Sequence, residues 1–182
     1  MAFDLPAEVI DDLACIQKTI ADGGVKIGWV APQNIHLTVK FLGEISPEAV
    51  QKAMAVAGQA VKGGAPMQLA AKGIGVFPDM NRPRVVWAGL SGDLRSLVDF
   101  QRILEENLAT ACFEKEKRSF KAHVTLGRVK SAVDVRKLAA AMSPCLDFQS
   151  KSFCIDRLMV YKSDLTAGVP IYTRLSEFAL GG

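Results

Sequence analysis

The sequence predicts an α+β fold with mostly antiparallel strand pairing. Helix-like and strand-like segments mix along the chain without a Pro-, Gly- or Ser-rich linker to divide them. Strand-like runs flank turn-rich residues at hairpin spacing. Each half of the chain also holds a long amphipathic helix followed by a strand that carries one histidine, a faint internal repeat.

Residues 6–21 read as a helix: Ile10, Leu13, Ile16 and Ile20 recur at helical spacing, and Pro6 sits where a first turn tolerates it. Residues 26–31 and 35–42 read as strands. Ser46 is an N-cap, followed by Pro47 and the acidic Glu48, and opens a helix that Gly63 and Gly64 stop. Residues 67–76 and 84–90 read as strands around the turn formers Pro78, Asp79 and Asn81. A second long amphipathic helix covers 94–111, and 121–129 is a strand. Residues 131–134, with Ser131 as cap, resemble a capping box before a shorter helix. Two further strands are expected near 148–162 and 171–179.

A chain of 182 residues suits one domain, residues 1–182, with a core large enough to fold without disulfides or a structural metal. The formal net charge of +3 fits an anionic small substrate or transient RNA contact and is too small for tight, non-specific nucleic-acid binding. Cys15, Cys112, Cys145 and Cys154 form no C-x-x-C pair and none lies near a histidine, so they are expected to be reduced, mostly buried thiols rather than zinc ligands. No apolar run is long enough to span a bilayer, and residues 1–6 lack the basic and apolar regions of a signal peptide. The expected setting is the cytoplasm.

The chain has two histidines, and their surroundings match: Ile35-His36-Leu37-Thr38-Val39 and Ala122-His123-Val124-Thr125-Leu126. On a strand, alternate side chains share a face, so each segment presents an imidazole beside a hydroxyl and turns apolar residues toward a core. The chain has only six threonines, so the doubling of His-x-Thr is informative where a single copy is not. Hydrolysis of a phosphodiester ring needs a base for water and an acid for the departing oxygen, and two histidines can divide those roles near neutral pH. The threonine hydroxyls can donate to the non-bridging oxygens, where charge develops. No metal or other cofactor is required.

With two His-x-Thr motifs in a chain of this size, the sequence resembles the 2H phosphoesterases, and in particular the bacterial and archaeal RNA 2′,3′-cyclic phosphodiesterases, also called 2′-5′ RNA ligases. The similarity runs in order through residues 2–6, 34–44, 73–78, 82–87 and 120–128. It implies a bilobal α+β fold with pseudo-twofold symmetry, an antiparallel sheet in each lobe and an active-site cleft between them. By the same resemblance His36 is the proton donor to the leaving ribose oxygen, His123 is the base that activates water, and Thr38 and Thr125 hold the phosphate. Arg128 matches a position that reaches the phosphate, a role guanidinium suits. The implied reaction opens a 2′,3′-cyclic phosphate on an RNA end or nucleotide to a 2′-phosphomonoester. The sequence departs from the family at its start, where an aromatic near the first strand is missing. Either that strand is short or the native start lies upstream of Met1, and a base-stacking ring must come from elsewhere. Ser119 and Ala122 stand where prolines are usual.

Phe41 follows the first motif, but strand parity places it opposite His36, so it is expected in the core. Trp29 and Trp87 are expected as core or cleft wall. Lys40, Lys121 and Lys130 are candidates for steering an anionic substrate, or simply for solubility. Other readings stay open: end joining through a 2′-5′ linkage at the same site, a nucleotide- or RNA-binding module without turnover, or a protein that uses the histidines as metal ligands. The last lacks suitably spaced Cys, Asp or Glu, and without a P-loop an ATP-dependent ligase is not expected. A single cleft suggests a monomer.

Overall fold

The computed structural model describes residues 1–130, 132–166 and 169–182. It is an α+β protein with two antiparallel sheets. The first has four strands in the order β3-β1-β8-β9: β1 is Ala2–Asp4, β3 His36–Thr38, β8 Arg157–Thr166 and β9 Val169–Ala179. The second has five in the order β2-β6-β5-β4-β7: β2 is Gly28–Trp29, β4 Met67–Phe77, β5 Val85–Gly92, β6 His123–Arg128 and β7 Phe153–Ile155.

Four helices pack with the sheets. In α1 (Ala7–Asp22) the residues at helical spacing, Val9, Leu13, Ile16 and Ile20, are buried. In α2 (Pro47–Ala60) the Oγ of Ser46 accepts the Ala49 amide at 3.3 Å, as a cap should, and Ala53, Ala57 and Ala60 form a narrow buried face. Leu97, Phe100, Leu104 and Leu108 line the buried stripe of α3 (Leu94–Thr110). The last helix, α4 (Val135–Met142), buries Leu138 and Met142. Helix α1 lies against α4, and α2 against α3. One contiguous core joins Phe3, Leu13, Leu37 and Leu158 with Leu69, Leu104, Val124 and Leu126, and so reaches both sheets.

Several expectations change in detail. The strands around His36 are shorter than the sequence suggests. A 3-10 turn at Pro32–Asn34 ends the first of them, and an irregularity after Thr38 ends the second. The stretch 148–162 forms two strands: β7 pairs with β4, whereas β8 pairs with β1 and β9, so the chain changes sheets at Asp156. The expected cap Ser131 lies outside the described residues. The α4 cap is Asp134, whose Oδ1 accepts the amides of Arg136 and Lys137 at 2.9 and 3.2 Å. Three of the four cysteines are exposed, against expectation, and only Cys145 is buried. Cys154 alternates outward on β7 between the buried Phe153 and Ile155, and Cys112 sits past the end of α3 in a left-handed conformation at φ 67°. All four are free thiols. No described helix is long and apolar enough to cross a membrane.

Candidate active site

The two His-x-Thr segments occupy strands of different sheets, and these strands meet. Strand β3 lies at an edge of the first sheet, and β3 and β6 approach with Cα atoms within 8 Å. Alternation holds in both motifs. Leu37 and Val124 are fully buried, while His36 and His123 are half-buried on the opposite faces. Thr38 is exposed and Thr125 half-buried. Burial of Leu37 alone contributes roughly 1.5–3 kcal/mol that holds β3 in this register.

Each imidazole is influenced by the backbone two residues earlier. Nδ1 of His123 lies 2.6 Å from the carbonyl of Lys121. A carbonyl only accepts, so Nδ1 carries the proton and Nε2 of the neutral ring presents its lone pair. The backbone of Asn34, likewise two residues earlier, favours the protonated form of His36.

The surroundings of the two rings differ. His36 stacks near Tyr161, with centroids 6.2 Å apart, and meets the edge of Tyr172 at 5.1 Å. The Tyr161 hydroxyl donates to both carboxylate oxygens of Asp4, at 2.7 and 2.9 Å, and Asp4 lies opposite His36 in the β1–β3 register. Burial and the neighbouring Asp4 carboxylate raise the Tyr161 pKa, so the hydroxyl remains a donor. Burial also lowers the His36 pKa below its ordinary 6.5, opposed by the Asn34 backbone and by Asp4. His36, Asp4, Asn34, Tyr161, Tyr172 and Arg174 are among the residues around a cavity of about 550 Å³. His123 instead meets Phe77 edge-on at 5.0 Å, with Lys121 Nζ 5.5 Å from the same ring. Phe77 in turn packs on Trp87, whose half-buried ring fills the space left by Gly75, where a Cβ would come within 2.3 Å of it. That makes Trp87 a wall, as expected. Its Nε1 is buried without a hydrogen-bond partner among the described residues.

Arg128 ends β6, is exposed, and forms no ion pair among the described residues. Regular alternation would set it opposite Thr125. The β5–β6 register, however, moves one residue from Val86 to Trp87 while β6 moves two, from Gly127 to Thr125. This bulge makes Leu126 and Gly127 both buried and returns Arg128 to the exposed side. Lys40 neither steers nor solubilises. It is 6% exposed, and its Nζ binds Glu105 Oε1 at 2.6 Å and the carbonyl of Glu114 at 2.7 Å. Lys121 and Lys130 are exposed. Phe41 is not in the core: it is 80% exposed. The amides of Val39 and Lys40 both donate to the Met1 carbonyl, at 3.0 and 3.2 Å. Two residues thus share one register position, and the parity that would bury Phe41 is reversed.

The sequence reading did not single out Asp4, Phe77, Tyr161 or Tyr172. One signal was available, since the chain has only two tyrosines. Both lie beside His36, on the hairpin β8–β9 more than a hundred residues away in sequence.

The profile of the LigT-like phosphoesterase family matches residues 3–87. The RNA 2′,3′-cyclic phosphodiesterase of Methanothermobacter thermautotrophicus is 30% identical over 180 residues, covering 99% of this chain and 97% of that protein. The enzyme of the same name from Methanocaldococcus jannaschii is 32% identical over 178 residues, 98% of each chain. Among solved structures, Escherichia coli LigT complexed with 3′-AMP superposes with a TM-score of 0.74 at 26% identity, over 98% of this chain and 95% of that one. A protein from Thermus thermophilus shares the fold with a TM-score of 0.80, at 24% identity over 100% and 96% of the two chains.

Proposed function

The chain belongs to the LigT-like phosphoesterase family, and from that premise we propose that it is an RNA 2′,3′-cyclic phosphodiesterase whose acid and base are His36 and His123. The observation that carries the two-histidine reading is the paired motif on two strands that meet, and the division into acid and base follows the family resemblance. With Nδ1 protonated, Nε2 of His123 is ready to take a proton from water as it attacks phosphorus. His36 donates a proton to the departing 3′ oxygen, which leaves a 2′-phosphate. Thr38 and Thr125 donate hydrogen bonds to the non-bridging oxygens, and Arg128 offsets the charge that develops on them.

The substrate is an RNA end or nucleotide that bears a cyclic phosphate. The structure of a relative with 3′-AMP supports a nucleotide ligand. The core shared by both sheets supports residues 1–182 working as one bilobal unit, with a monomer as the proposed state. Four unpaired thiols fit a reducing cytoplasm.

The test is hydrolysis of the four nucleoside 2′,3′-cyclic monophosphates in the presence of chelator, with the 2′- and 3′-phosphate products resolved. His36→Ala and His123→Ala are each expected to lower kcat by about 10²–10⁴-fold. Turnover at wild-type rate in both variants would refute the two-histidine mechanism.

A further inference from the structure

The two motif strands end alike. After His36-x-Thr38 come two consecutive buried residues, Val39 and Lys40, and then the exposed Phe41; after His123-x-Thr125 come the buried Leu126 and Gly127, and then the exposed Arg128. Each strand takes up an extra residue at the same point, at the shared Met1 carbonyl in one and at the β6 bulge in the other. Phe41 is therefore the counterpart of Arg128 in the internal repeat, returned to the side its own strand's histidine and threonine occupy. It is the one exposed aromatic ring among the described residues.

Phe41 borders a second cavity, of about 530 Å³, separate from the one beside the tyrosines. Lys115, Lys117 and Arg118 also line it. Of its two carboxylates, that of Glu116 holds Arg118 at 3.1 Å, while that of Glu114 forms no ion pair among the described residues and offsets one of the cations; Lys40 binds only the Glu114 main-chain carbonyl. Lys115 and Lys117 form no ion pair among the described residues. The segment that carries these cations runs directly into β6 and His123. The groove is thus walled by the residues that follow the first motif strand and by the segment that leads into the second. Its one open ring stands among cations, the combination that binds single-stranded nucleic acid by stacking and phosphate contacts. A protein partner would call for a broader apolar patch.

We propose that this groove holds the RNA segment upstream of the cyclic-phosphate end, with Phe41 stacking a base and Lys115 and Lys117 contacting phosphates. The proposal rests on the phosphodiesterase reading above and adds to it a preference for oligonucleotides over mononucleotides.

The experiment compares kcat/KM for a nucleoside cyclic monophosphate with that for oligonucleotides of increasing length ending in the same cyclic phosphate. In the wild type kcat/KM should rise with length. Phe41→Ala should remove about 5- to 100-fold of that gain and leave mononucleotide turnover unchanged. Lys115→Gln with Lys117→Gln should reduce the slope of log affinity against log salt by about 1.4. Binding of a fluorescent oligonucleotide ending in a 2′-phosphate, which needs no turnover, separates the two readings. If neither the mononucleotide nor any of the oligonucleotides is hydrolysed, the phosphodiesterase reading fails, and this binding alone decides the groove. No length effect in the wild type, an undiminished one in Phe41→Ala, or equal product binding by both proteins overturns the proposal. So does sedimentation showing that Phe41 instead holds a concentration-dependent dimer, with oligonucleotide turnover unaffected.

Discussion

At the scale of residues, the two histidines share a motif but not an environment. His36 lies beside two tyrosine rings with its pKa lowered by burial. An acid must carry its proton in the free enzyme, so kcat/KM should fall as pH rises through the His36 pKa, which lies below 6.5. The alkaline limb of a pH–rate profile is therefore expected on the acid side of neutrality. Asp4→Asn removes a carboxylate that raises this pKa, and should move the limb to still lower pH. A limb above pH 7 that Asp4→Asn leaves in place would show that His36 is not the acid. Both His-x-Thr motifs were legible in the sequence because period-two alternation is a local property of a strand. The tyrosines and Asp4 were not, because the contacts with His36 come from other strands, and no spacing along the chain encodes them.

Between elements, the buried Lys40–Glu105 pair links the end of β3 to α3. Glu105 Oε1 also accepts the Glu116 amide at 2.8 Å, and Lys40 takes the Glu114 carbonyl. One ion pair thus shapes the basic segment that precedes His123. Its side chains are 5% and 14% exposed, so Lys40→Ala would leave a largely buried carboxylate without its partner, at a cost of about 3–5 kcal/mol. Denaturant unfolding should show that loss as a lower midpoint; a change below about 1 kcal/mol would mean that water reaches Glu105 freely. Gln17 plays a similar part on α1, where its Nε2 donates to the carbonyls of Val30 and Leu126, both at 2.8 Å, and braces β6. Helix limits were read closely from the sequence, since caps such as Ser46 and stripes such as Leu97, Phe100 and Leu104 act locally. Strand limits were not. The irregularities after Thr38 and Thr125 depend on a neighbouring strand's register, and they reverse the parity on which the placement of Phe41 relied.

Over the whole molecule, one core passes through both sheets, and the fluorophores are divided between them. Trp29 and Trp87 lie on β2 and β5 of the second sheet, Tyr161 and Tyr172 on β8 and β9 of the first. If residues 1–182 form one cooperative unit, unfolding followed by tryptophan emission and by near-ultraviolet tyrosine signals should give coincident transitions. Two separated midpoints would make the lobes independent domains. The chain change at Asp156, where β7 leaves one sheet and β8 enters the other, is one covalent reason to expect coincidence.

The amino-acid order by itself determined the α+β class, the four helices, the doubled His-x-Thr and the family it marks. All of these are written in short-range periodicity and in motifs that need no partner to be read. The tertiary structure alone decided that β3 and β6 meet, that two tyrosines lie beside one histidine while a phenylalanine meets the other, that Lys40 is buried, and that Phe41 is open. Those outcomes depend on long-range register and on which element closes over which. A side chain's burial and charge state follow from what surrounds it in space, and only the folded chain supplies those surroundings.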